Sequence, residues 1–189
     1  MIYRLTKLVT VSYHTCTLAR SNDMKPEEGL LGGSRQWQGE VDAMLPETPA
    51  AAAWPHLASF TSLHLYMAGI DTCKLESGED GQPGCVRYVA RHGGASSGEV
   101  LCWAREELLE MDHAARRLKY SVLETNMGSG RYVATLSVDE GGGGACKLTW
   151  AFECDPLPGM SMEGAKDMAR VSVQSIASGI QQAVRAAAA

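Results

Sequence analysis

The sequence predicts an α+β fold: a curved antiparallel sheet wrapped around one long C-terminal helix, with two short helices after the first strand and an internal ligand cavity. Three observations predict it. Short apolar runs with turn residues between them recur from Ile70 to Cys154, the pattern of an antiparallel meander. One stretch, from about Ser161 to Arg185, carries apolar residues at helical spacing. The chain has 189 residues and a hydrophobic content of 45%, enough for one domain with a substantial core.

In chain order, residues 1 to 34 differ from the rest. They are basic, hydroxyl-rich and poor in acids up to Arg20, then polar and glycine-rich to Ser34. They read as a flexible leader or a transit peptide, and residues 35 to 189 as the folded domain. Trp37 to Leu45 alternates as a first strand, ended by Pro46. Alanine-rich Glu47 to Leu57 reads as a short helix. Ser59 to Met67, with Phe60, Leu63 and Met67 at i, i+3 and i+7, reads as a second. Strands follow at Asp71–Glu76, Gly84–Arg91, Val100–Met111, Arg117–Asn126, Arg131–Val138 and Lys147–Cys154, with turns rich in Gly, Asp and Asn between most of them. Asp155-Pro156-Leu157-Pro158-Gly159 breaks the sheet. Ser161 caps the last helix and Glu163 suits its first turn. Val173, Ile176, Ala177, Ile180 and Val184 form the stripe that packs on the sheet. This order is that of the helix-grip architecture.

Composition excludes several function classes. Net charge is -5 and no Lys/Arg run exists, so there is no nucleic-acid footprint. No apolar run is long enough to span a bilayer. The six cysteines (16, 73, 85, 102, 146, 154) show no C-x-x-C pair and read as buried free thiols in a reducing, cytoplasmic compartment. The five histidines (14, 56, 64, 92, 113) lack ligand spacing, so no metal is expected. There is no P-loop, G-x-S-x-G or H-E-x-x-H, and no cofactor is expected.

Alternation sorts the strand faces. Between Val100 and Met111, Cys102, Ala104, Glu106 and Leu108 share one face, and Glu106 is its lone carboxylate. Tyr132 shares an apolar face with Ala134, Leu136 and Val138. Leu118, Tyr120 and Val122 point inward, as do Leu148, Trp150 and Phe152. For Arg87 alternation leaves both faces open, since Val86, Tyr88 and Ala90 compete with Cys85, Arg87 and Val89. An arginine inside an apolar run needs a partner. Arg87 and Glu106 lie on consecutive strands, where a cross-strand pair is easy. Such a pair is either a structural ion pair with a capping tyrosine or part of a polar cluster that works on a ligand.

Several motifs run in one series: Arg35-Gln36-Trp37-x-Gly39, Leu45-Pro46, Ala53-Trp54, Phe60-x-x-Leu63-His64, Cys73-x-Leu75-x-x-Gly78, Gly84-Cys85-Val86-Arg87-Tyr88-Val89, Trp103-Ala104-x-Glu106, Tyr132-x-Ala134-Thr135 and Trp150-x-Phe152. The series resembles the plant lachrymatory factor synthase family, within the START-like, birch-pollen-allergen-like superfamily (SRPBCC, or polyketide cyclase and lipid transport), from about Arg35 to Val184. The resemblance implies an isomerase that converts an alkenyl sulfenic acid to a thial S-oxide. It implies catalytic Arg87, Glu106 and Tyr132 turned inward together. Met67, Cys85, Val89, Cys102, Tyr120, Val122, Trp150 and Phe152 are then expected to line the substrate. Val122, Asn126 and Met127-Gly128-Ser129-Gly130 are less aromatic than the onion enzyme's pocket, which implies a wider or differently shaped one.

Two function classes follow. One is a proton-transferring isomerase acting on a small hydrophobic or sulfur-containing molecule, with Glu106 moving the proton and Arg87 and Tyr132 holding oxygen. The other is a non-catalytic small-molecule or lipid carrier of the same superfamily. A monomer is expected. Family analogy adds the vacuole, and a transit peptide would add the plastid, to the cytoplasm as places for it.

Overall fold

Alternation in the sequence becomes strand in the structure nearly run for run. The computed structural model describes residues 36–93, 98–128 and 130–188, so the expected leader lies outside the described residues. The strands are β1 (Trp37–Leu45), β2 (Thr72–Ser77), β3 (Val86–His92), β4 (Val100–Asp112), β5 (Arg117–Thr125), β6 (Tyr132–Glu140) and β7 (Cys146–Cys154). They form one antiparallel sheet in the order β1-β7-β6-β5-β4-β3-β2. The last strand pairs with the first, Trp37 opposite Cys154, which places the start and end of the sheet side by side.

The helices are α1 (Ala50–Ala58) and α2 (Met162–Ala187). Ser161 caps α2, its hydroxyl accepting from the Gly164 amide at 3.0 Å. Glu163 in the first turn and Arg185 in the last suit the helix dipole. The stripe faces inward as expected: Val173, Ile176, Ala177 and Ile180 are buried, with Ala165 and Ala169. Its main partner is β1. Together they bury the inner residues of β1, β5, β6 and β7 in one core. Among the described residues no helix is long and apolar enough to cross a membrane.

Two expectations need correction. The first short helix starts at Ala50, not Glu47, because Glu47 adopts φ 58°, outside helical backbone. The second is a 3-10 turn, Phe60–Leu65. Its apolar spacing does not separate the two helix types. The carbonyl of Phe60 accepts from the Arg87 guanidinium.

Two glycines set how closely elements approach. A Cβ at Gly39 would overlap the Phe152 ring, so this gap in β1 seats that ring. A Cβ at Gly179 would overlap the Tyr66 backbone, so α2 carries the end of the 3-10 turn against its own surface. The Ala68 amide also donates to Ser175 Oγ there, at 2.8 Å. Gly179→Ala is expected to destabilise by about 1–3 kcal/mol, the usual effect of overpacking. A lowered midpoint in thermal or urea unfolding checks this; an unchanged midpoint would mean that the turn is free to move off α2.

Candidate functional site

The site begins with sheet register. Arg87 on β3 lies opposite Glu106 on β4, and Glu106 lies opposite Val122 on β5. Pairing of β5 with β6 is recorded as far as Ser121 opposite Val133, which puts Tyr132 at the next position along the same row. A bulge between Arg105 and Glu106 resets the β4–β5 register where the carboxylate turns inward. Burial agrees with the faces read from alternation: Ala104, Glu106 and Leu108 are buried, while Trp103, Arg105 and Glu107 are half-buried.

Arg87 and Glu106 are 4% and 8% exposed, so both charges sit out of water. Arg87 Nε donates to Glu106 Oε2 at 2.7 Å, and Nη2 lies 2.6 Å from the same oxygen. Nη1 donates to the Phe60 carbonyl. The guanidinium carbon stands 3.8 Å from the Phe60 ring centroid and 5.4 Å from that of Tyr120. Burial, the largest single influence, opposes the Arg87 charge, but Glu106 together with Cys73 and Tyr120 holds the guanidinium above its ordinary pKa. Glu106 Oε1 has no hydrogen-bond partner among the described residues.

Two tyrosines stand around this pair. Tyr120 is buried, and desolvation, followed by the Glu106 charge, pushes its hydroxyl well above the usual range. Tyr132 is half-buried and stacks on Phe152, ring centroids 6.0 Å apart and planes 8° off parallel. Desolvation raises its hydroxyl too. The Trp150 indole N–H is near enough to lower it somewhat, yet meets no acceptor at hydrogen-bonding geometry. Both tyrosines therefore stay neutral donors far past neutral pH.

The other expected wall residues divide. Cys85, Val89, Trp150 and Phe152 are buried; Met67, Cys102 and Val122 are half-buried. The enclosed pocket that reaches Arg87 is lined by different residues, His56, Leu57, Ser59, Leu63, Tyr66, Leu118, Leu136 and Ile176. Its volume is about 10 Å³, room for about one water. A bound substrate there calls for movement of these side chains. Two groups at the site escaped sequence reasoning. One is Phe60, whose carbonyl and ring both hold Arg87; a backbone acceptor leaves no trace in residue type. The other is Cys73, half-buried, its Sγ 3.8 Å from the same carbonyl and its thiol pushed up by burial. Among the described residues no cluster of His, Cys, Asp or Glu could hold a metal ion.

These shifts carry a pH dependence. Burial raises the thiols of Cys73, Cys85, Cys146 and Cys154 and the hydroxyls of Tyr120 and Tyr132. The folded state keeps these protons at a pH where the unfolded chain has lost them. Stability is then fully present below the unfolded values, about 8.5 for Cys and 10 for Tyr, and is lost as pH rises from there through the higher folded values. The melting temperature in reductant is expected to fall steadily from about pH 9 upward. A flat profile to about pH 11 would contradict this.

A family described as polyketide cyclase / dehydrase and lipid transport matches residues 36–188. Among solved structures, the chain is similar to the protein XoxI from Bacillus cereus, with 21% identity and a TM-score of 0.64 over 81% of this chain and 99% of that one. It is also similar to an uncharacterized protein from Bacillus thuringiensis, with 18% identity and a TM-score of 0.62 over 76% of this chain and 98% of that one. Likeness at these identities speaks to the fold.

Proposed function

We propose, because this chain belongs to the polyketide cyclase / dehydrase and lipid transport family, that it binds a small hydrophobic molecule and acts on it as an isomerase of the lachrymatory factor synthase kind. The substrate is an alkenyl sulfenic acid or a close relative. Glu106 Oε1 takes the S–OH proton and returns it to the far alkene carbon. The carbon–carbon double bond moves to become C=S, and the product is a thial S-oxide with the same atoms as the substrate.

Each group has a part. Arg87 aims Glu106, and its remaining N–H groups are directed at the substrate oxygen. Tyr132, neutral throughout, donates to that oxygen. The observation that supports the reading is the buried Arg87–Glu106 pair in which one carboxylate oxygen is engaged and the other is open. A purely structural pair gains most when every lone pair is satisfied; an open carboxylate oxygen beside its partner suits proton transfer.

The test is turnover. A sulfenic acid generated in place from an alkenylcysteine sulfoxide and a lyase should give thial S-oxide only when the protein is added. Loss of that product in Glu106→Gln, with the fold retained, is the expected result. Binding of small apolar molecules without turnover would make the protein a carrier instead.

A further inference from the structure

Arg87 has more donors than its partners take. A guanidinium carries five N–H groups. Nε and Nη2 serve Glu106 Oε2 and Nη1 serves the Phe60 carbonyl, which leaves two N–H groups with no acceptor among the described residues. Arg87 is 4% exposed, so bulk solvent does not supply one, and a buried donor left unpaired is costly. The enclosed cavity of about 10 Å³ that reaches Arg87 has a second polar wall, made by His56 and Tyr66. His56 comes from α1, and Tyr66 closes the 3-10 turn. His56 Nδ1 lies 2.9 Å from the Tyr66 hydroxyl, and the rings meet edge to face with centroids 5.3 Å apart. Tyr66 is backed by α2, where Gly179 admits its backbone. Ser59 also lines the cavity, its hydroxyl already paired with Ser62 at 2.7 Å. A cavity of this size holds a water where two to four polar groups surround it, whereas an apolar one stays dry. The mechanism above uses neither His56 nor Tyr66.

We infer that one internal water occupies this cavity, held between Arg87 and the His56–Tyr66 pair, and that the pair positions the guanidinium through it. Hydrogen-bond polarity sets the order. A guanidinium can only donate, so the water accepts from one of the two spare N–H groups. The other stays with the substrate oxygen. The water donates to the Tyr66 oxygen, and the Tyr66 hydroxyl donates to His56 Nδ1, which puts the ring proton on Nε2. Arg87 is thereby tied to Glu106 on β4 and, through the water, to α1 and to the turn that rests on α2. His56 and Tyr66 are positioning residues: they act on Glu106 through the water and Arg87. The water site goes beyond the proposed isomerase and stands whether or not the protein turns over a sulfenic acid.

NMR on the full chain reads the water directly. Cross-peaks from a long-lived water are expected at the methyl groups of Leu118, Leu136 and Ile176, which line the cavity, and at the Arg87 side-chain N–H signals. Tyr66→Phe removes one hydroxyl and keeps the ring against His56. In that variant the methyl cross-peaks should vanish, and the Arg87 Nη protons should exchange with solvent about tenfold faster, the effect of one net hydrogen bond lost. The Nε proton, held by Glu106 at 2.7 Å, should keep its rate. Methyl groups that see no water in the natural protein would overturn the site. Unchanged cross-peaks and unchanged Arg87 exchange in Tyr66→Phe would overturn the part given to the pair. Should that variant fail to fold, the His56 tautomer of the natural protein decides the same point from its ¹⁵N couplings: a proton on Nε2 supports the relay, and one on Nδ1 overturns it. None of these readouts uses turnover, so failure of the isomerase leaves the water in place and failure of the water leaves the isomerase.

Discussion

Glu106→Gln is expected to lower turnover of an alkenyl sulfenic acid by about 10²–10⁴-fold, the contribution of a positioned acid–base group. The substitution keeps shape and leaves an amide oxygen for Arg87 Nε, so hydrogen bonding at 2.7 Å can persist. What it removes is the ability to accept and return a proton. Stability should fall less than in Glu106→Ala. That variant leaves a guanidinium that is 4% exposed without its counter-ion, and breaking a buried pair in this way costs about 3–5 kcal/mol. In Gln the Phe60 carbonyl, the Phe60 ring and the amide oxygen still hold Arg87. Steady-state rates and thermal melts on both variants separate the two roles. Full activity in Glu106→Gln would remove Glu106 from the chemistry. Unfolding of Glu106→Gln, together with an inactive natural protein, would leave the pair a structural one.

Ending the chain before Ser161 is expected to abolish folding. The helix α2 covers the inner face that holds Leu148, Trp150 and Phe152. Val173, Ile176 and Ile180 are at most 1% exposed. At about 1.5–3 kcal/mol for each fully buried side chain, these three alone contribute roughly 5–9 kcal/mol, comparable to the whole net stability of a domain. Alanines 165, 169 and 177 add further buried area. The shortened chain should show little ordered circular dichroism and should bind a hydrophobic dye. A cooperative melt from that product would show that the sheet can close without the helix.

How much of this was legible in the sequence varies by element. Strands β4 to β7 were, because each has one buried and one solvated face, and a period of two is written directly in residue type. The capped start of α2 was legible for the same local reason: Ser161, Glu163 and a stripe at helical spacing act within a turn or two of one another. The inward turn of Glu106 was readable too, as a lone carboxylate on an apolar face. Strand β3 was not. Most of its residues are buried on both faces, so alternation carries no sign, and only the register with β4, Arg87 opposite Glu106, decides which way the arginine points.

By itself, then, the sequence determined the order of elements, the α+β class, the inner faces of the half-solvated strands and the stripe on the closing helix, since each depends on neighbours a few positions apart. Tertiary structure alone decided the rest. It formed the Phe60 segment as a 3-10 turn and set a backbone carbonyl there to accept from an arginine 27 positions away. It set the Gly39 gap that seats Phe152, and with it the Tyr132 stack. It reduced the enclosed space beside Arg87 to about 10 Å³, and it left the Trp150 N–H without a partner. Each of these arises where distant strands and helices meet at van der Waals or hydrogen-bond distance, and local pattern holds no record of such meetings.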